Sequence, residues 1–163
     1  MERDTASTCG FTRPDIPAGL AALRRMIANG NRAPIGDLLD VSLADAGDGW
    51  VVFTGTPTRR VYDPIGIVHG GYAATLLDSA CGCAVHSRLV AGQSYATLEL
   101  KVSYLEAITD STGPMRCEGR AVSMGRRAAF AEATLNDAAG RLYATATSTL
   151  LVMEVPTNPA SAA

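Results

Sequence analysis

The sequence predicts an α+β fold, with one long and mostly buried helix set against a curved antiparallel sheet of five to six strands. Three observations point there. Within Tyr62–Leu89, the residues Ala73, Leu76, Leu77, Ala80 and Ala84 recur at helical spacing, and apolar or small side chains run nearly all the way round. Downstream, four stretches joined by turns read as strands, the first with clear period-two alternation. Consecutive strands on short turns run antiparallel, and a sheet curled about a single helix accounts for a helix so apolar on so many sides. The 163 residues, 47% of them hydrophobic, suffice for one domain with a core.

Taken in order, residues 1–15 are polar and contain Arg13-Pro14, which predicts a flexible arm before a single domain over 16–154. Gly19–Ala28 sets Leu20, Leu23 and Ile27 on one face and Arg24-Arg25 on the other, a short amphipathic helix ended by Asn29-Gly30. Ile35–Ala44 reads as a strand from the alternation of Leu39, Val41 and Leu43. A turn over Asp45–Gly49 and a return strand over Trp50–Thr56 complete a hairpin. After the long helix, Ala91-Gly92-Gln93 breaks the chain. Ala96, Leu98, Leu100, Val102 and Tyr104 then alternate with Thr97, Glu99, Lys101 and Ser103, predicting one buried face. Strands follow over Met115–Ser123, Ala128–Asn136 and Arg141–Met153, and the tail from 155 to 163 is expected to be disordered.

Composition excludes several classes. A net charge of −2, a pI near 5.6 and the lack of a basic block argue against a nucleic-acid partner. No apolar run of about 18 residues suggests a membrane span, and MERDTASTCG lacks the apolar segment of a secretory signal. Cys9, Cys81, Cys83 and Cys117 are too sparse for an exported disulfide framework, so reduced thiols and a cytoplasmic location are expected.

The chemistry-bearing residues concentrate at the long helix. Gly70 and Gly71 open it, where backbone N–H groups lack internal partners and could polarise a carbonyl; close packing in a tight turn is the plainer reading. Asp78, in mid-helix, costs several kcal/mol to enclose unless it is paired or used, so it is the candidate general base or nucleophile. The eight residues between Gly70 and Asp78 span about 12 Å of rise, too far for both to act on one bond from one chain. If both act together, the site lies across a dimer interface. A Ser-His-Asp triad has little support with only His69 and His86 and no G-x-S-x-G elbow. Cys81, Cys83 and His86 form a weak metal pattern, and Cys81 fits the buried helix face better.

The run Asp63-Pro64-x-Gly66-x-x-His69-Gly70-Gly71 followed by Asp78 resembles the signature of hotdog-fold acyl-CoA thioesterases, and is most similar to the phenylacetate-pathway (PaaI-like) branch. Thr97–Leu105 and Gly125-Arg126-Arg127 with Ala129–Glu132 are similar to that family's following strand and hairpin, and the resemblance extends over roughly 36–152. It implies a homodimer, often a dimer of dimers, that hydrolyses an acyl-CoA without metal or redox cofactor. By the same resemblance, the Gly70 N–H polarises the thioester carbonyl, with Gly71 beside it, and His69 shapes the helix start. Asp78 of the other subunit acts as base or nucleophile, and Thr97 orients water. Strict alternation, however, sets Thr97 opposite the apolar face of its strand. Arg126 and Arg127 suit the phosphates of coenzyme A, or are simply solvated. Asp63 replaces the family's usual amide: it is held protonated as a donor, or it holds its loop, or the activity differs. The alternatives are a hotdog enoyl-CoA hydratase or dehydratase, told apart by loss of enoyl absorbance, and a non-catalytic acyl-CoA binder or sensor, which would release no thiol.

Overall fold

Helix α1 (Ala18–Ala28) buries Leu20 and Leu23, exposes Arg24 and Arg25, and ends at Asn29 with Gly30 in the left-handed region (φ 64°). The computed structural model describes residues 16–155, so the expected arm over 1–15 and all of the expected tail but Val155 lie outside the described residues. A Cβ on Gly19 would stand 1.8 Å from the His86 carbonyl oxygen, so only glycine lets α1 cross the end of the long helix this closely.

The strand expected from Ile35 begins instead at Val41. Pro34–Leu39 form a short helix, α2, with Pro34 in the first turn, where its missing N–H costs nothing, and Asp40 ends it at φ 53°. The apolar alternation through Leu39 ran across this helix boundary. Strands β1 (Val41–Gly47) and β2 (Trp50–Gly55) pair about a two-residue turn at Asp48-Gly49, tighter than the Asp45–Gly49 turn expected. A register shift between Leu43 and Asp45 makes this possible, because it lets Asp45 and Ala46 keep pairing with Val52 and Val51. The turn is fastened to the core: the Gly49 N–H donates to Ser87 Oγ (2.8 Å), which donates to the Ala84 carbonyl (2.7 Å).

The remaining strands are β3 (Gln93–Tyr104), β4 (Met115–Met124), β5 (Ala128–Asp137) and β6 (Leu142–Glu154). The six-stranded sheet has the order β1-β2-β4-β5-β6-β3, every pairing antiparallel. Thus β3 is not the neighbour of β4. The link over 105–114 carries the chain from one side of the sheet to the other, and among the described residues β3 is an edge strand of 12 residues paired only with β6.

Helix α3 (Gly70–His86) lies on the sheet and buries Leu76, Leu77, Ala80, Cys81, Ala84 and Val85. At Gly119 of β4 a Cβ would sit 2.2 Å from the Ala80 carbonyl oxygen, so helix and strand backbones touch. The cover is not complete. Ala74, Thr75, Asp78, Ser79, Cys83 and His86 form a half-buried stripe that the sheet leaves open. A sheet curled about one helix is the hotdog arrangement. Among the described residues no helix is long and apolar enough to cross a membrane.

Candidate active site

The approach to α3 is built by Asp63. Its Oδ1 accepts from the N–H groups of Ile65 (3.0 Å) and Ile67 (3.3 Å), while its own N–H donates to the Ile67 carbonyl (2.8 Å). Gly66 takes the φ of 89° that this turn requires. Asp63 therefore serves its loop as an acceptor. The His69 N–H donates to the Val61 carbonyl (2.8 Å), which sets the direction in which α3 starts.

His69 is the N-cap. Its Nδ1 accepts from the Gly71 N–H at 2.8 Å, so Nε2 is the ring's remaining donor. The Gly71 N–H is thereby engaged within the chain. Gly70 lies under Tyr104, whose hydroxyl donates to the Gly70 carbonyl (3.0 Å) and whose ring would be 3.1 Å from a Cβ there. His69 and Gly71 border one cleft, together with Arg60, Tyr62, Tyr72 and Thr75.

Asp78 opens onto a different cavity of about 220 Å³. Thr97 Oγ1 donates to Asp78 Oδ1 at 3.0 Å. This contact exists because β3 is not regular. Its register against β6 shifts between Thr97 and Glu99, so Leu98 bulges out and is 63% exposed. Before the bulge Tyr95 and Thr97 turn towards α3; beyond it Leu100 and Val102 pack against the core. The buried face expected to include Leu98 is thus broken at that residue, and Thr97 lies on the helix side after all.

Ser79, Cys83 and Tyr95 line the same cavity. Tyr95 rests on Gly82, where a Cβ would come within 2.7 Å of its ring, and burial raises its hydroxyl above the ordinary phenol range. Burial also pushes the Cys83 thiol up to about 11, the Asp78 charge adding to the effect, so Cys83 is a protonated neighbour and no thiolate nucleophile near neutrality. Cys81 is fully buried, pushed up to about 12 first by burial and then by the charges of Asp78 and Glu132. Two residues apart on a helix means roughly 200° round its axis, so Cys81 and Cys83 do not face one ion. Tyr95, Ser79 and Tyr104 were missed as site residues in the sequence. A tyrosine touching a helix across a bulged strand leaves no local pattern; Ser79 follows Asp78 but has no distinguishing spacing.

Arg126 and Arg127 form the exposed β4–β5 turn. Val152 donates its N–H to the Arg127 carbonyl (3.0 Å) and pairs with Tyr95 on β3. The turn is therefore two strand spacings, about 10 Å, from the row of Tyr95.

The profile of the thioesterase superfamily matches residues 65–144, which run from the α3 approach into β6. Over that stretch, just under half of its length, this chain is similar to the thioesterase superfamily. A thioesterase family protein from Silicibacter pomeroyi has a similar structure, with 26% identity and a TM-score of 0.73, over 84% of this chain and 99% of that one. A candidate thioesterase from Ralstonia eutropha JMP134, phenylacetic acid degradation-related, superposes with a TM-score of 0.70 at 26% identity, over 79% of this chain and 98% of the other. A candidate esterase from Halobacterium salinarum is 41% identical over 69 residues, 41% of this chain. The match spans less than half (44%) of that curated relative. The superfamily stretch contains His69, Gly70, Gly71, Asp78, Thr97, Arg126 and Arg127, and Asp63 precedes it by two residues.

Proposed function

We propose that this chain hydrolyses an acyl-CoA thioester to the free acid and coenzyme A, in a site shared by two copies. The observation that carries the reading is the Thr97–Asp78 hydrogen bond on the wall of a cavity that Leu43, Phe53 and Ile35 also line. One Asp78 oxygen is held by the threonine and the other is left for a proton or an acyl carbon. The Gly70 N–H and the His69 Nε2–H lie at the start of the same helix, where His69 borders a separate cleft. A second copy brings its helix start to the Asp78 of the first.

In that arrangement Gly70 polarises the carbonyl, and Asp78 removes a proton from water held by Thr97. The tetrahedral adduct then collapses, the C–S bond breaks, and the Asp78 carboxyl returns the proton to the departing thiolate. Direct attack by Asp78, with an anhydride that water then opens, uses the same geometry. Neither route calls for a metal or redox cofactor. The Arg126-Arg127 turn supplies cations for the coenzyme A phosphates. The long open edge of β3 and the uncovered stripe on α3 favour pairing of two copies there, and sedimentation reads whether such dimers pair again.

The test is thiol release from a panel of acyl-CoAs. Asp78→Asn should keep the fold and acyl-CoA binding, yet lose on the order of 10²-fold or more in kcat. Near-normal turnover in that variant removes Asp78 from the chemistry.

A further inference from the structure

The cavity at Asp78 has an apolar end that the superfamily match does not reach. Before residue 65 its apolar lining is Met26 of α1, Ile35 of α2, Val41 and Leu43 of β1, and Phe53 of β2, with Asn31 and Arg32 of the α1–α2 link as the polar groups. Leu43 and Phe53 sit directly opposite each other across the β1–β2 ladder, so their side chains share one face. Neither is fully buried, whereas Val51 and Val52 beside Phe53 are. Both line the cavity. Ile35 closes the space from α2, a helix fixed at Asp40, whose Oδ1 receives the Arg32 guanidinium at 2.8 Å.

We propose that Leu43 and Phe53, closed over by Ile35, decide which acyl group this chain accepts, and limit it to about nine non-hydrogen atoms of uncharged hydrocarbon. The size follows from the volume. A cavity of about 150 Å³ takes the six carbons of benzene; the 220 Å³ here takes about half as much again. An arylacetyl group and a straight chain of about eight carbons both meet that limit. The chemistry follows from the lining. Arg32, the cation at the rim, is engaged by Asp40, and Asp78 repels an acyl chain that ends in a carboxylate. A ring hydroxyl reaching the Leu43–Phe53 wall would lose water and gain no partner from those two side chains.

This inference rests on the proposed hydrolysis, and the experiment separates the two. Thiol release by the full chain is measured on butyryl-, octanoyl-, dodecanoyl-, phenylacetyl- and glutaryl-CoA. Binding of non-hydrolysable octyl and dodecyl thioether analogues of coenzyme A is measured alongside. The expected kcat/KM is highest for octanoyl, phenylacetyl or both, and at least tenfold lower for dodecanoyl and glutaryl. Phe53→Ala should raise the dodecanoyl-to-octanoyl ratio at least tenfold, in kcat/KM and in analogue affinity, while Leu43→Phe should shift preference towards butyryl. Should Phe53→Ala fail to fold, Phe53→Leu tests the same wall with a smaller expected shift. Hydrolysis with no dependence on chain length, or a Phe53 variant that weakens all acyl groups equally, overturns the assignment. Absence of hydrolysis, with analogue binding that still discriminates length through Phe53, overturns the hydrolase reading and leaves the pocket assignment standing.

Discussion

Asp63 shows how much one atom's role depends on its neighbours. In sequence it is an acid where an amide is usual, which admits a protonated donor. In the structure Oδ1 accepts two loop N–H groups, work that an asparagine carbonyl oxygen does equally well. Asp63→Asn should therefore leave thermal stability within about 0.5 kcal/mol and the pH–rate curve unchanged. Asp63→Ala, which removes both bonds, should cost about 1–2 kcal/mol in denaturant unfolding. An Asn variant as damaged as the Ala variant would show that the charge itself matters. At Thr97 the deciding feature is the extra residue at Leu98. Period-two reading is a rule about regular strands, and a bulge next to a site re-aims the side chains before it.

The two ends of α3 are secured differently. At its start, the His69 cap and Tyr104 hold Gly70 and Gly71. At its end, His86 is enclosed by Gly19 of α1 and by Tyr95, with ring centroids 5.9 Å apart, and desolvation lowers its pKa from the ordinary 6.5. A histidine that folds in its neutral form contributes stability that is complete above the unfolded value. It is lost as pH falls through the lower folded value. Thermal midpoints should accordingly decline as pH drops below about 6.5. His86→Gln should remove that part of the decline while leaving the slope due to carboxylates. An identical profile in wild type and variant would show that His86 is solvated in both states. The short helix α2 was hidden because its apolar residues continue in phase with β1. Pro34 was the available signal, since proline suits the first turn of a helix.

For the whole molecule, the separation of Gly70 from Asp78 along one rigid helix is the controlling distance. Helix rise does not compress, so one chain cannot close it. With the site shared as proposed, mixing Asp78→Asn with Gly70→Pro subunits should restore activity, because each heterodimer would hold one site with both groups intact. Proline suits this position, the first in the helix, so the variant loses its N–H while the helix backbone is kept; its Cβ makes the Tyr104 ring give way, and unfolding of the variant is measured alongside. Sites confined to one chain would show no recovery once subunit exchange is verified. The half-buried stripe on α3 and the edge of β3 are the surfaces on which such pairing would be read, by sedimentation and by hydrogen exchange along Gln93–Tyr104.

Local chemistry was sufficient for much of this protein. Helical spacing and the glycine pair marked the start and body of α3, turn residues marked off β4 to β6, and the carboxylate at 78 with the glycines at 70 and 71 marked the candidate site. Each depends on neighbours close in sequence. Three features were decided only by tertiary contact. The position of β3 beside β6 follows from a long link that could have led elsewhere. The Leu98 bulge, which brings Thr97 to Asp78, is a mismatch between two strands about fifty residues apart. The apolar wall of Leu43, Phe53 and Ile35 joins three elements around an empty space, and the shape of that space exists only once the chain has closed upon it.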